Sequence, residues 1–223
     1  MLILGYWKIR GLAANIRYQL AYSGVEYEMI EYEQKGTAPN FDSTSWFGVK
    51  HNLGFDFPNL PYLIDGDLKM TETLAIHRYI ADRYKPELLG SDPLVRARVS
   101  MVEGVLLGLK NAVTGPCYAS QDKVKIVTAI KSTVPIVVKY MGESRFLCGD
   151  ELTYMDFYFF ELVQLILMLH PTLYEEYPSL KAYSTSMRHL PGLKGYLDNS
   201  ESVDNNRDFN NVCAFINGNA KFC

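Results

Sequence analysis

DFPNLPYLIDGDLKMTETLAIHRYIA, Asp56–Ala81, is the stretch on which the fold turns. Phe57-Pro58-Asn59-Leu60-Pro61 is a stiff extended segment, because each proline fixes its own backbone torsion. Tyr62-Leu63-Ile64 reads as a short strand, Asp65-Gly66-Asp67 as a tight hairpin turn and Leu68-Lys69-Met70 as the returning strand. Thr71-Glu72-Thr73 then sets two hydroxyls and a carboxylate at the start of a predicted helix, Leu74 to Tyr84. A rigid proline facing a polar helix start is a good place to hold a small peptide, since the first turn of a helix has unpaired N–H groups to offer.

Upstream of this stretch the elements are short and mixed. Leu2 to Tyr6 is an apolar run that fits a buried strand. Ala13 to Tyr22 is helical, with Ile16, Leu20 and Ala21 inward, and Tyr27 to Tyr32 alternates like a strand. Glu33 to Ser45 reads as a polar loop, and Trp46 to Lys50 as a short irregular helix. The order β-α-β-(α)-β-β-α is thioredoxin-like, and the helical crossover makes the first two strands parallel. Downstream, Lys85 to Pro93 carries two prolines and a glycine in nine residues, which places a boundary there. We therefore expect an α/β domain at 1–84, a linker at 85–92 and an all-helical domain at 93–223.

The second half is helical in pattern. Leu94 to Val113 aligns Val95, Val99, Val102, Leu106 and Leu109 on one face, and Gly115-Pro116 interrupts it. Lys123 to Met141 follows, with Pro135 predicting a kink or a break. Thr153 to Asp156 has the form of a capping box with Asp in the acidic position. It opens an almost wholly apolar helix, Phe157 to Leu169, the expected centre of this half. Tyr177-Pro178 introduces one more helix, to about Leu190. From Ser200 the chain is Asn-rich with little periodicity and reads as a surface segment, one that could drape over a cleft.

Bulk composition narrows the function. At 223 residues, 48% hydrophobic and 21% charged, the chain is an ordinary globular protein with room for a real core. A net charge of -3 and no long basic run argue against a nucleic-acid surface. No basic segment leads into an apolar stretch, and no apolar run is long enough to span a bilayer. Cys117, Cys148, Cys213 and Cys223 are scattered without zinc-like spacing and read as free thiols in a reducing cytoplasm. His51, His77, His170 and His189 form no motif and are expected on the surface or in packing roles.

Three strings together, ILGYWKIRGLA (Ile3–Ala13), DFPNLPYLIDG (Asp56–Gly66) and AIHRYIA (Ala75–Ala81), resemble the cytosolic glutathione S-transferases, most closely the mu class. The loop with Ala38-Pro39, ending at Ser45-Trp46, is similar to a mu-class insertion. The resemblance spans roughly residues 1 to 200, densely in the first half and sparsely in the second. It implies a homodimer that joins the glutathione thiolate to hydrophobic electrophiles in detoxification, with glutathione as co-substrate, no tightly bound cofactor and no metal. It leaves two rivals: a glutathione-dependent isomerase and a non-catalytic carrier of apolar ligands.

The same resemblance assigns roles. Tyr6, at the end of the first strand, would donate its hydroxyl to the glutathione sulfur; an ordinary thiol has a pKa of about 8.5, and donation to the thiolate lowers it. The peptide would be held by Trp7, Trp46 through its indole N–H, Lys50 through charge, Asn59, and a cis Leu60–Pro61 turn whose Leu60 backbone pairs with it like an added strand. Glu72 would accept from the α-amino group and Thr73 hold the γ-glutamyl carboxylate; the class pattern has Gln then Ser there. Taken alone, Glu72 and Thr73 read as plain helix caps. Leu12 and Tyr118 would face the electrophile, Tyr118 as a proton donor or orienting group, with Val105, Leu109 and Ala112 as candidate neighbours. Phe57 matches an aromatic knob that inserts into the partner subunit. Asp156 is structural. Two departures stand out: Ser43 lies where an Arg is frequent, and Gly108 where an Asp from the partner subunit would reach glutathione.

Overall fold

The computed structural model describes residues 1–214; Cys223 lies outside the described residues. Strand β1 (Leu2–Trp7) leads into helix α1 (Ala14–Ser23) and strand β2 (Tyr27–Tyr32). A small hairpin, β3 (Lys35–Thr37) and β4 (Asn40–Asp42), precedes a short helix α2 (Thr44–Phe47). Strands β5 (Tyr62–Asp65) and β6 (Leu68–Thr71) and helix α3 (Thr73–Tyr84) complete the first half. The sheet order is β2-β1-β5-β6. Strand β1 runs parallel to β2 and antiparallel to β5, as the crossover requires. The hairpin at 35–42 corrects the reading of Glu33–Ser45 as loop. Its strands are only three residues each and exposed, too short for alternation to register, and a cis Ala38–Pro39 bond closes the turn.

Beyond a 3-10 turn at Pro86–Leu89 come α4 (Pro93–Tyr118), α5 (Lys123–Met141), α6 (Tyr154–Leu169), α7 (Leu173–Glu176), α8 (Pro178–Arg188) and α9 (Leu193–Asp198). Helix α4 passes through Gly115-Pro116 where the sequence predicts an interruption. Pro116 sits in the last turn, where it forfeits one backbone bond. Nearby, side chains add donors to helix carbonyls: Thr114 Oγ1 donates to Lys110 O, and Cys117 Sγ to Val113 O at 3.2 Å. Pro135 likewise lies inside an unbroken α5.

Helix α6 is the axle of this half. It is buried along nearly all of its 16 residues. The capping box at its start is formed: Asp156 accepts from Thr153 N–H at 2.8 Å and also from Leu147 N–H at 2.8 Å. Burial raises the Asp156 carboxyl to about 6 although these bonds pull it down. Two hydrophobic clusters result, one inside the sheet half and one around α6, and α1 contributes to both through Ile16 and Tyr18. Helices α1 and α6 are in direct contact, so the two halves are welded along one seam. Among the described residues, no helix is long and apolar enough to cross a membrane.

Candidate functional site

A cleft of about 480 Å³ opens along that seam. Its floor is the end of β1 and the loop after it, with Tyr6, Trp7, Gly11 and Leu12. One wall is the start of α3, Glu72 to Leu74; the other is a face of α4.

Tyr6 is 5% exposed. Its hydroxyl accepts the Leu12 N–H at 2.9 Å, which leaves the phenolic proton free for donation elsewhere. Burial pushes the Tyr6 hydroxyl up to about 12, against smaller opposing effects of the Leu12 N–H and Arg17. It is therefore a protonated donor at neutral pH. Gly11 makes this possible: it sits at φ +45°, and a Cβ there would lie 2.5 Å from the Tyr6 oxygen.

At the opposite wall, Glu72 adopts φ 72° and ψ 113°, a conformation that costs a non-glycine residue free energy and clusters at ligand sites. Glu72 occupies the N-cap position of α3 without making a side-chain cap bond. The first-turn amides of a 12-residue helix remain available to an anion. Asn59 Nδ2 donates to Glu72 Oε1 at 3.3 Å.

Of the expected peptide-binding residues, the structure brings Tyr6, Trp7, Glu72 and Thr73 into the cleft, with Asn59 beside Glu72. The Leu60–Pro61 bond is cis. The Leu60 N–H, expected to be open to a peptide, instead donates to Asn59 Oδ1 at 2.9 Å, because the adjacent amide side chain folds back onto it in an Asx-type contact. Trp46 and Lys50 stand together off the cleft. Trp46 is buried and stacked on Tyr62, and the Lys50 ammonium lies 5.9 Å from the Trp46 ring centre and 5.5 Å from Phe47. They connect to the cleft through the Trp7–Phe47 contact. Ser43 accepts from Gln34 at 3.0 Å, and Gly108 is an open position on α4. Phe57 is 79% exposed.

Leu12 and Tyr118 both line the cleft, but their expected neighbours do not. Leu109 is core, Val105 and Ala112 are exposed, and the α4 face that reaches the cleft carries Leu107, Lys110, Asn111, Thr114 and Gly115. These positions recur at i, i+3, i+4, i+7 and i+8, one stripe of a helix. Because the stripe is largely polar, hydrophobic periodicity points away from it. Tyr158, from α6, completes the wall.

The Asn-rich tail is the larger omission. Past the 3-10 turn at Val203–Asn206 it lies along the β1–α1 loop, where Arg10 N–H donates to Asp208 O at 2.8 Å and Gly11 N–H to Phe209 O at 3.0 Å. Asn210 and Asn211 then line the cleft, and Asn211 N–H donates to the Tyr118 hydroxyl at 3.0 Å. Asp204 is sealed against Arg17, the two side chains 1% and 0% exposed. Arg10 lies 4.0 Å from the Phe209 ring centre and pairs with Glu161 through Nη2 at 2.6 Å. The reading of a plain surface segment is thus corrected, since a buried ion pair and a backbone ladder fasten it; draping over a cleft is what the chain does.

The known proteins agree with this architecture. Residues 3–82 match the family model described as glutathione S-transferase, N-terminal domain, and residues 110–200 match glutathione S-transferase, C-terminal domain. A glutathione S-transferase of Dermatophagoides pteronyssinus is 40% identical over 198 residues, 87% of this chain and 89% of the relative. Glutathione S-transferase Mu 4 of Mus musculus is 35% identical over 200 residues, covering 88% and 90%. The crystal structure of the glutathione S-transferase Blo t 8 superposes with a TM-score of 0.83 at 26% identity, covering 96% of this chain and 99% of that one.

Proposed function

Because the chain belongs to the glutathione S-transferase family, with mu-class members among its relatives, we propose that it conjugates the thiolate of glutathione to electrophilic carbon in the cleft between its two halves. The observation that carries this reading is the Tyr6 hydroxyl. It is buried at the cleft floor, held protonated, and supplied with an N–H from Leu12 so that its own proton points elsewhere. Donation of that proton to sulfur favours the thiolate over the thiol. A hydrogen bond to a charged group is worth about 1.5–3 kcal/mol, which corresponds to about one to two pKa units.

The uncapped start of α3 takes the γ-glutamyl carboxylate, with the Thr73 hydroxyl and amides directed at it. Glu72 accepts from the α-amino group. Asn59 and the cis Leu60–Pro61 turn border the cysteinyl part, with the Leu60 N–H exchanging Asn59 for the peptide. Lys50 and Trp46 lie toward the glycyl end. Leu12 and Tyr118 face the electrophile. The active unit is a homodimer, in which the exposed Phe57 ring seats in a second copy. At 79% exposure the ring is free to enter a second copy.

The test is conjugation of glutathione to 1-chloro-2,4-dinitrobenzene across pH, with retention on glutathione resin, for wild type and Tyr6→Phe. We expect retention by both, a loss of about 10- to 100-fold in kcat/KM at neutral pH for the variant, and a rise of its kinetic pKa by about one to two units. Equal activity and an unshifted pH profile would remove Tyr6 from the role.

A further inference from the structure

Lys110 is a cation stranded in the cleft wall. It belongs to α4, lines the cleft and is 8% exposed. Its backbone carbonyl accepts from Thr114 Oγ1, but its ammonium makes no hydrogen bond or ion pair among the described residues. Glu161, the carboxylate whose field it feels, is already engaged by Arg10 Nε at 3.0 Å, Arg10 Nη2 at 2.6 Å and the Tyr18 hydroxyl at 2.9 Å. A buried ammonium without a counter-ion is costly, and giving up the proton relieves that cost. Burial accordingly lowers the Lys110 ammonium to about 8, with Glu161 and the Cys117 thiol opposing. Surface lysines are the reverse case: Lys8 donates to Glu33 at 2.6 Å and Lys69 to Leu53 O at 2.7 Å, so each ammonium has an acceptor. At neutral pH about a tenth of Lys110 is free amine, about 10²-fold more than for an ordinary lysine. Neither the glutathione contacts nor the Tyr6 chemistry uses it.

A desolvated amine beside a cavity is a setting suited to imine chemistry. We propose that the Lys110 ε-amine is a covalent acceptor site for aldehydes, which it takes up as imines. Leu12, Leu107 and Tyr118 line the same cleft and offer apolar contact, which suits an aldehyde with an alkyl or aryl body. The aldehyde is joined to the protein and not to glutathione. In the step, the neutral amine nitrogen bonds to the carbonyl carbon and the carbonyl π pair moves onto oxygen. The nitrogen gives up both of its hydrogens, the oxygen takes up two protons, and water leaves as the C=N bond forms. No oxidant or reductant is required. Burial favours this product, because a neutral imine replaces a cation that the site solvates poorly. The imine hydrolyses when aldehyde is withdrawn, so the site acts as a reversible, aldehyde-sensitive block of the cleft. Its formation needs no glutathione and stands apart from the transferase reading, although it fills the cleft to which that reading assigns conjugation.

The probe is benzaldehyde, trapped with sodium cyanoborohydride, which delivers hydride to the imine carbon and leaves a stable secondary amine. Wild type, Lys110→Met and Lys110→Arg are treated at neutral pH without glutathione, and each lysine is followed by peptide mass. We expect Lys110 to gain a benzyl group at least about 10-fold faster than the exposed Lys131 and Lys181. Both variants should lose that early label and keep the slow labelling of the other lysines. The wild-type peptide map decides the matter even where a variant fails to fold. S-hexylglutathione, whose chain occupies the cleft, should slow labelling at Lys110 and not at Lys131. Treated wild type should lose conjugation of 1-chloro-2,4-dinitrobenzene in proportion to the label on Lys110, while Lys110→Met keeps its own rate through the same treatment. A labelling rate at Lys110 within about threefold of that at Lys131 overturns the proposal and leaves the transferase reading intact. Fast label at Lys110 in a protein that conjugates nothing upholds the imine site and defeats the transferase reading.

Discussion

Asp204→Ala removes the carboxylate that faces the buried Arg17 guanidinium. In the native protein Arg17 Nε donates to Asp204 Oδ1 at 3.1 Å and Oδ2 at 3.0 Å, and the Tyr196 hydroxyl donates to Oδ2 at 2.7 Å. After truncation Arg17 keeps the Ile9 carbonyl at 3.1 Å and a weaker reach to that of Arg10 at 3.4 Å. Its charge is then buried without an opposite charge. Breaking one side of a buried pair costs about 3–5 kcal/mol. At about 2–4 °C per kcal/mol for a chain of this size, the melting midpoint falls by about 6–20 °C. The assay is urea unfolding of wild type, Asp204→Ala, Arg17→Met and the double variant. Each single variant strands one charge; the double variant strands none and should recover most of the loss, giving a coupling of about 2 kcal/mol or more. Single costs below about 1 kcal/mol, or costs that simply add, would refute the reasoning. Acid gives a second signature. Burial pulls the Asp204 carboxyl up, but Arg17 and the Tyr196 hydroxyl outweigh it and hold the group below its ordinary value. The unfolded carboxyl titrates near about 3.9. The pair's contribution is thus complete above that pH and is lost as pH falls toward the lower native value, in wild type and not in the double variant.

Gly11→Ala places a methyl on the Tyr6 oxygen in a backbone region that resists it; displacing a reacting group by about an ångström costs about 10²-fold, so kcat should collapse while the glutathione resin still retains the protein. Undiminished kcat would mean that the hydroxyl's position is not critical. Phe57→Asp should convert the sedimenting species from dimer to monomer; an unchanged sedimentation coefficient would show that this ring is not at a subunit contact. Asp156→Ala strips acceptors from Thr153 and Leu147 in a fully buried cap, an expected loss of about 2–4 kcal/mol in urea unfolding; a loss within about 0.5 kcal/mol would mark the capping box as dispensable.

The parts of the molecule legible in its sequence are those written in local chemistry. Asp65-Gly66-Asp67 between two short apolar runs reads as a tight hairpin turn, and β5 and β6 pair across it, the turn closing to Gly66-Asp67 with Asp65 opposite Leu68. Thr153 and Asp156 announce the start of α6 with no help from elsewhere. Tyr6, Leu12, Glu72 and Thr73 could be gathered because the strings around them resemble a known family. What stayed hidden lacks a local signature. Lys110, Asn111 and Thr114 form a helical stripe that hydrophobic patterning assigns to solvent, because it registers only the apolar side. Arg17 and Asp204 are 187 positions apart, and each by itself is an ordinary surface charge; only tertiary packing makes them a buried pair. The contacts that seat residues 204–211 lack a local signature for the same reason, since they are made with Arg10, Gly11, Arg17 and Tyr118. Gly115-Pro116 misled in the other direction: a breaker near the end of a long helix forfeits too little to stop it.

The fastening of residues 204–211 across the cleft has a consequence for the order in which the molecule is made. Sheet strands β1, β2, β5 and β6 are all synthesised before residue 72, and the Tyr6 floor exists as soon as they pair. The cover of that floor is the last described part of the chain to be translated, and its attachment demands that α1 and α6 already be docked. A nascent polypeptide therefore carries the Tyr6 hydroxyl for most of its synthesis, yet holds it in an unroofed groove. Competence arrives late, when the two ends of the described chain meet.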